Sequence, residues 1–215
     1  MRELNERIRK LVMPDRFRHL PINDQGYPIP FFVPYFDGKP EFRGFDPDKM
    51  SICVRHQRCW LCGEPLGKFM AFVIGPMCAV NRVSAEPPSH YDCAYYGVQA
   101  CPFLSQPRMR RNEKDLPEDT KPPAGIMLKR NPGVTLIWVT RNYKPFKANG
   151  GTLFKVGDPQ RVEFYAEGRR ATRAEIMASI DSGMPILRGM ANEDGPEAVV
   201  ELEQMYTKAL ELVPA

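Results

Sequence analysis

Two pairs of metal-ligating side chains recur at the same short interval, Cys59 and Cys62 in the run CWLCG and His90 and Cys93 in the run SHYDC. Zinc takes four such donors at tetrahedral corners, with sulfur at about 2.3 Å and imidazole nitrogen at about 2.0 to 2.1 Å. Two intervening residues let a chain turn back and aim both thiolates at one point, and Gly63 after the first pair tolerates the tight backbone. The second pair falls on the first turn of an expected helix, where residues three apart share a face and the helix dipole favours a thiolate. Metal binding by Cys59, Cys62, His90 and Cys93, with zinc as the ion, is the first expectation. Four protein ligands close the coordination sphere, and a closed site is structural rather than catalytic.

The other cysteines compete weakly. A redox pair of the thioredoxin kind needs its Cys-x-x-Cys between a strand and a helix of a βαβ pattern, which is not visible here. Cys101 follows Cys93 by eight residues, about 12 Å of rise along an unbroken helix, and so cannot share its ion. If that helix broke early, Cys59, Cys62, Cys93 and Cys101 would form a four-cysteine set, and Pro102 after Cys101 suits iron–sulfur ligation, the alternative cofactor. Cys53 lies in an expected strand, where an interval of three places side chains on opposite faces. Cys53 and Cys78 are read as small buried hydrophobes and His19 as a surface residue.

The elements that must hold these residues follow from periodicity and punctuation. Leu4, Ile8 and Leu11 predict a short amphipathic helix ended by Pro14. Aromatic runs around Asp37-Gly38, from 28 to 43, predict an edge hairpin. Strand-like runs over 51–58 and 68–74 flank the first cysteine pair and predict a hairpin with the cysteines at its tip. Ser89 is placed to cap a helix running from His90 to the residue before Pro102. Residues 105–125 carry proline and charge without apolar period and read as a linker or long surface loop, which divides the chain into 1–104 and 126–215. The later half predicts strands at VTLIWVT, TLFKV and RVEFYAEG in a small antiparallel sheet. A helix with a Thr172/Glu175 capping box should stop at Gly183. A last helix from Pro196 should align Val199, Leu202, Tyr206, Ala209 and Val213.

Composition bounds the class. Of 215 residues, 43% are hydrophobic and 26% charged, ordinary values for a folded globular chain. No apolar run approaches the roughly 18 residues of a membrane helix, and the start MRELNERIRKL lacks the apolar stretch of a signal peptide, so a cytoplasmic location is expected. The net charge of +4 is unevenly spread, with 15 basic against 7 acidic residues over 108–173 and 2 against 8 over 174–215. Arg108, Arg110, Arg111 and Lys114 follow the second ligand pair, and Arg130, Arg141, Lys144 and Lys147 accompany Trp138, Tyr143 and Phe146. Basic groups neutralise phosphates and aromatics stack on unpaired bases, so nucleic acid is one expected partner. Solvated loop charges, or a protein partner on the 31–36 aromatic edge, fit the same text. Glu163, Glu167, Arg169 and Arg170 read as a solvated turn.

A Cys-x-x-Cys turn, a β-hairpin and a ligand pair at a helix start resemble the treble-clef zinc finger, over residues 59–93, about a sixth of the chain. The runs FVIGPMCA, EPPSH and CPFL resemble those of a group of bacterial proteins and imply no activity. Together with the strands and helices read from the second half, the treble-clef-like zinc module gives an expected α+β protein: a zinc module, a small antiparallel sheet and C-terminal helices. Treble clefs also scaffold HNH-type nucleases, which need a catalytic histidine on the hairpin. The corresponding run AFVIGP has neither histidine nor carboxylate, so a divergent metal-dependent nuclease would have to recruit His56 or Asn81. No phosphate loop, dinucleotide fingerprint or nucleophile elbow is present. Binding to nucleic acid or a protein is therefore expected ahead of catalysis.

Overall fold

The computed structural model describes residues 3–121, 124, 131–148 and 151–215. The expected N-terminal helix is instead a set of turns, in which Asn5 O accepts from the amides of Ile8 and Arg9 and Ile8 O from Leu11. A helix this short repays little of its nucleation cost. Its apolar face docks as anticipated, with Ile8 fully buried. A 3-10 turn follows at Asp15–Phe17. The Asp37-Gly38 hairpin is present as β1 (Tyr35–Phe36) and β2 (Lys39–Pro40), its turn residues at φ 48° and 75°.

The strand expected over 51–58 is a helix, α1 (Pro47–His56). Ile52 and Val54 carry β propensity, but the start signal overrides it: Asp46 accepts from the Asp48 and Lys49 amides, and Pro47 takes the first turn. Met50 and Cys53, three apart, then face the core. Gln57, at φ 46°, ends the helix. The first cysteine pair therefore hangs from a helix end, and the expected hairpin is reduced to a single Arg58–Pro65 bridge.

After the cysteines come β3 (Met70–Ile74), α2 (Pro76–Asn81) and β4 (Val83–Ser84). Next are α3 (Tyr91–Ala100) and α4 (Pro102–Ser105). The second half supplies β5 (Thr135–Thr140), β6 (Tyr143–Ala148), β7 (Gly151–Val156), β8 (Pro159–Ala166) and β9 (Arg169–Arg170). The chain ends in α5 (Arg173–Asp194) and α6 (Pro196–Leu210). The α+β class stands, but the single small sheet becomes two antiparallel sheets, β3-β5-β8-β9 and β4-β7-β6. Each sheet takes strands from both sides of residues 105–125.

The larger sheet is covered on both faces, which is why TLIWVT has no polar alternation. Phe72, Ile74, Leu136, Trp138, Phe164 and Ala166 pack in the main core with α2, α5 and α6 side chains such as Val80, Ile176 and Leu202. Ala71, Ile137, Val139 and Tyr165 meet Ala94 and Val98 of α3. The capping box forms as expected, but α5 runs eleven residues past Gly183. Gly183 is a packing residue: a Cβ there would lie 2.5 Å from Met77 Cγ on α2. In α6, Leu202 and Ala209 are buried, as is Val213 just beyond it.

The sheet also holds a buried carboxylate. Glu163 is 5% exposed, so the expected solvated turn does not describe it. Tyr91 and Tyr165 hydroxyls each donate to its Oε2 at 2.8 Å, and Arg161 and Arg170 donate to its Oε1. Residues 161, 163 and 165 share one strand face, the periodicity that could have revealed the network. Arg169 instead pairs with Glu175. Burial opposes ionisation of Glu163, but the Arg170, Tyr91, Tyr165 and Arg161 donors outweigh it and hold its pKa at about 2. An unfolded glutamate titrates near ~4.3. The stabilisation is thus complete above that value and is lost as pH falls through about 2. Glu163→Gln is expected to cost about 1 to 3 kcal/mol at neutral pH. In urea titrations the gap from the parent protein should close over that acid window, and a gap independent of pH would contradict the network.

Candidate metal centre

The left-handed Gln57 delivers the chain into a tight knuckle. Glu64 O accepts from the Cys59 amide at 2.8 Å, and Cys59 O accepts from the Gly63 amide at 2.9 Å. Gly63 sits at φ 78° with the Phe31 ring 2.7 Å from where a Cβ would stand, so only glycine fits. Trp60, between the two cysteines, turns into the main core and stacks on Phe32 at 4.9 Å. Its amide donates to Pro88 O, tying the knuckle to the segment that leads into His90. Ser89 and Ala71 exchange both backbone hydrogen bonds, at 2.8 and 2.7 Å, which anchors that segment on β3. Ser89 is held in extended pairing with the sheet, outside the helix's N-cap position. His90 is the N-cap in its place, and the helix starts one residue later than expected.

These supports bring Cys59, Cys62, His90 and Cys93 together, their ligand atoms all within 4.8 Å of one another. A zinc tetrahedron built at the usual bond lengths has edges of about 3.5 to 3.8 Å. Small side-chain adjustments would close the four donors on an ion. The cysteines are 0 to 1% exposed. His90 Nδ1 points inward, 3.4 Å from Cys62 Sγ, while Nε2 donates to Pro65 O at 2.9 Å. That outer hydrogen bond leaves the Nδ1 lone pair for a metal, the usual division of labour in a ligating imidazole. The Cys62 and His90 amides each donate to Cys59 Sγ at 3.4 Å. The donor set is soft and protein-filled, and it fits zinc.

Within the cluster Cys59, Cys93 and His90 are shifted by their neighbours. Burial opposes ionisation of Cys59, but donors on Cys62, Cys93 and His90 more than offset it and lower its pKa. Hydrogen bonding to Cys59 and Cys62, with burial, pushes Cys93 up. Hydrogen bonds to Cys59 and Cys62 raise His90 to about 10 against the effect of burial. An ion entering the site displaces these protons, so its affinity falls in acid.

The N-terminal segment braces the site, a role its sequence does not disclose. Arg16 donates to Asp92 at 3.0 Å and Glu64 at 3.3 Å, one residue beside each ligand segment. His19, expected to be a plain surface residue, donates from Nε2 to Cys62 O at 3.0 Å. All three contacts bridge more than 40 residues of chain, and nothing in local spacing signals them.

The remaining candidates are dispersed. Cys53 lies in the main core, where burial pushes its thiol up to about 12. It is the small hydrophobe expected, although on a helix. Burial likewise raises Cys78 to about 11. Cys101 stands at the far end of α3 and outside the cluster, so the four-cysteine set is not assembled. His56 is exposed at the end of α1, and Asn81 is occupied in accepting from the Val83 amide. Of the basic residues, Arg111 donates to Arg43 O and Lys114 O accepts from Arg43. Arg108 and Arg110 are exposed on the loop. Arg141 lies over the Phe69 ring at 5.0 Å, and Lys144 sits on β6. Arg130 lies outside the described residues.

Fold and site together define an α+β protein with a Cys3His cluster able to bind a metal. No protein-family model, curated protein or solved structure matches this chain. Among the described residues, no helix is long and apolar enough to cross a membrane.

Proposed function

We propose that this protein binds one zinc ion through Cys59, Cys62, His90 and Cys93 in a treble-clef-like module, and that the ion is structural. The chain then acts by binding nucleic acid rather than by catalysis. The observation that carries the metal reading is the convergence of four ligand atoms within 4.8 Å, with His90 already oriented by Pro65 O. Four protein donors leave no coordination position for substrate or water. The knuckle and the ligand pair at a helix start support the treble-clef comparison; where that module has a β-hairpin, this chain has β3, α2 and β4, with the two strands in different sheets. Exposed Arg108, Arg110 and Lys144 support an anionic partner.

Elemental analysis of the purified protein is expected to give about one zinc per chain. Cobalt should substitute and show the thiolate charge-transfer and d–d bands of a tetrahedral site. His90→Ala should weaken zinc binding by at least about tenfold, and His90→Cys should retain it. Iron with inorganic sulfide would point to the cluster alternative. Magnesium- or manganese-dependent cleavage of a plasmid would replace the binding reading with a nuclease.

A further inference from the structure

We propose that the outer face of the β4-β7-β6 sheet, with the groove beside it, is a binding site for single-stranded nucleic acid; this rests on the nucleic-acid reading above and locates it. The groove is a shallow, solvent-open depression of about 380 Å³ between Arg82, Asn142, Lys144, Lys155 and the Gly157-Asp158 turn. Ligand sites of about 300 to 1,000 Å³ accept groups the size of a nucleotide.

Its charge is unbalanced. Arg82, Lys144 and Lys155 face the single carboxylate of Asp158, which is already paired to Arg82 at 2.8 Å. Lys144 and Lys155 are direct cross-strand partners. Like charges so placed repel and destabilise a ladder, and among the described residues neither lysine has an ion-pair partner. An anion lying between them removes that repulsion. Arg82 occupies a left-handed backbone position, φ 57°, uncommon for a side chain of its size. Its guanidinium lies over the Trp138 ring at 5.3 Å, and its Nε–H is buried without an acceptor. The groove wall is set by close approach: a Cβ on Gly157 would lie 1.7 Å from Asn142 Oδ1.

The same face continues into apolar surface. Strand alternation puts Phe146 on the face of Lys144 and Leu153 on that of Lys155, and Phe146 and Leu153 are themselves paired. Phe146 is 37% exposed. It stands about 7 Å along the strand from Lys144. Cations for phosphates beside an aromatic for an unpaired base are the two components of single-strand recognition. A duplex buries its bases and offers the aromatic nothing.

The test is fluorescence anisotropy with a labelled oligothymidylate of about a dozen nucleotides, using the full chain with zinc content measured in parallel. Binding is expected with a log–log salt slope near −2, for about three phosphates neutralised. Lys144→Glu combined with Lys155→Glu should weaken it at least about tenfold and flatten that slope. Phe146→Ala should weaken it about fivefold or more. A labelled duplex of the same length should bind at least about tenfold more weakly. Binding untouched by the double charge reversal overturns the assignment of this face while leaving a nucleic-acid partner standing. Duplex binding as tight as that of the single strand overturns the single-strand claim. No binding by the zinc-loaded parent protein overturns both this site and the nucleic-acid reading, without touching the metal.

Discussion

Cys93→Ser is expected to abolish stoichiometric metal binding and to lower the melting temperature by at least about 10 °C. Cys93 is fully buried, and a serine hydroxyl at that corner is a poor zinc ligand at neutral pH. Binding free energy at a structural zinc site is folding free energy, about 10 to 16 kcal/mol in small finger peptides. Here the ion would hold a minor core in which Ile8, Phe17, Leu20, Tyr96 and Ala100 pack with the three ligand cysteines. The segment that supplies the first three of these side chains has turns but no long helix or strand of its own. Its attachments include the Arg16 and His19 hydrogen bonds to the ligand loops and Arg7 donating to Ala100 O and Ser105. Loss of the ion therefore removes the platform it docks on. A cost of about 5 kcal/mol corresponds to about 10 to 20 °C in a chain of this size. Calorimetry of the variant, and of the parent with and without chelator, measures it. Limited proteolysis should cut first within residues 3–31. A variant that keeps one zinc and melts within about 2 °C of the parent would exclude a structural role for the site.

Phe72→Ala is expected to cost about 3 to 5 kcal/mol while leaving metal stoichiometry unchanged. Phe72 is 1% exposed at the middle of β3, paired with Trp138 of β5. Its ring meets Tyr143 at 5.6 Å, edge to face, and Tyr143 meets Phe154 at 5.9 Å. These contacts join the two sheets, so truncation opens a cavity between them. Interiors this well packed relax only partly into such a space. The neighbour Ala71 faces α3, which carries Cys93, and its backbone anchors Ser89, so the lost ring is on the face of β3 away from that helix. Thermal unfolding followed by circular dichroism should show one transition moved down by about 6 to 20 °C. Two transitions, of which only one moves, would mean that the sheets do not share a core.

The chain's local text accounts for a definite part of this. The spacing of Cys59, Cys62, His90 and Cys93 named all four members of the cluster, because ligand pairs with two residues between them obey short-range geometry. The Thr172 cap, the Asp37-Gly38 turn, the buried TLIWVT strand and the apolar line of α6 were legible for the same reason. Each depends on residues within a few positions of one another. Where two local signals disagreed, the weaker one misled: the β-branched residues of 51–58 suggested a strand, and the Asp46-Pro47 start made a helix.

Tertiary contact decided the rest. Gly183 reads as a stop, yet α5 continues through it because Met77 of α2 needs its missing Cβ. Glu163 reads as a solvated turn, yet α3 brings Tyr91 from 72 residues away to help bury it. At the candidate metal site, sequence supplied which side chains can ligate and set Cys101 aside only on condition of an unbroken helix, a condition the structure meets. Only the fold determined that they converge, since the Ala71–Ser89 pairing, the Pro65 acceptor and the Arg16 brace all join segments distant along the chain. Ligand chemistry is a property of residues, whereas convergence is a property of packing, and packing depends on contacts that local spacing does not encode.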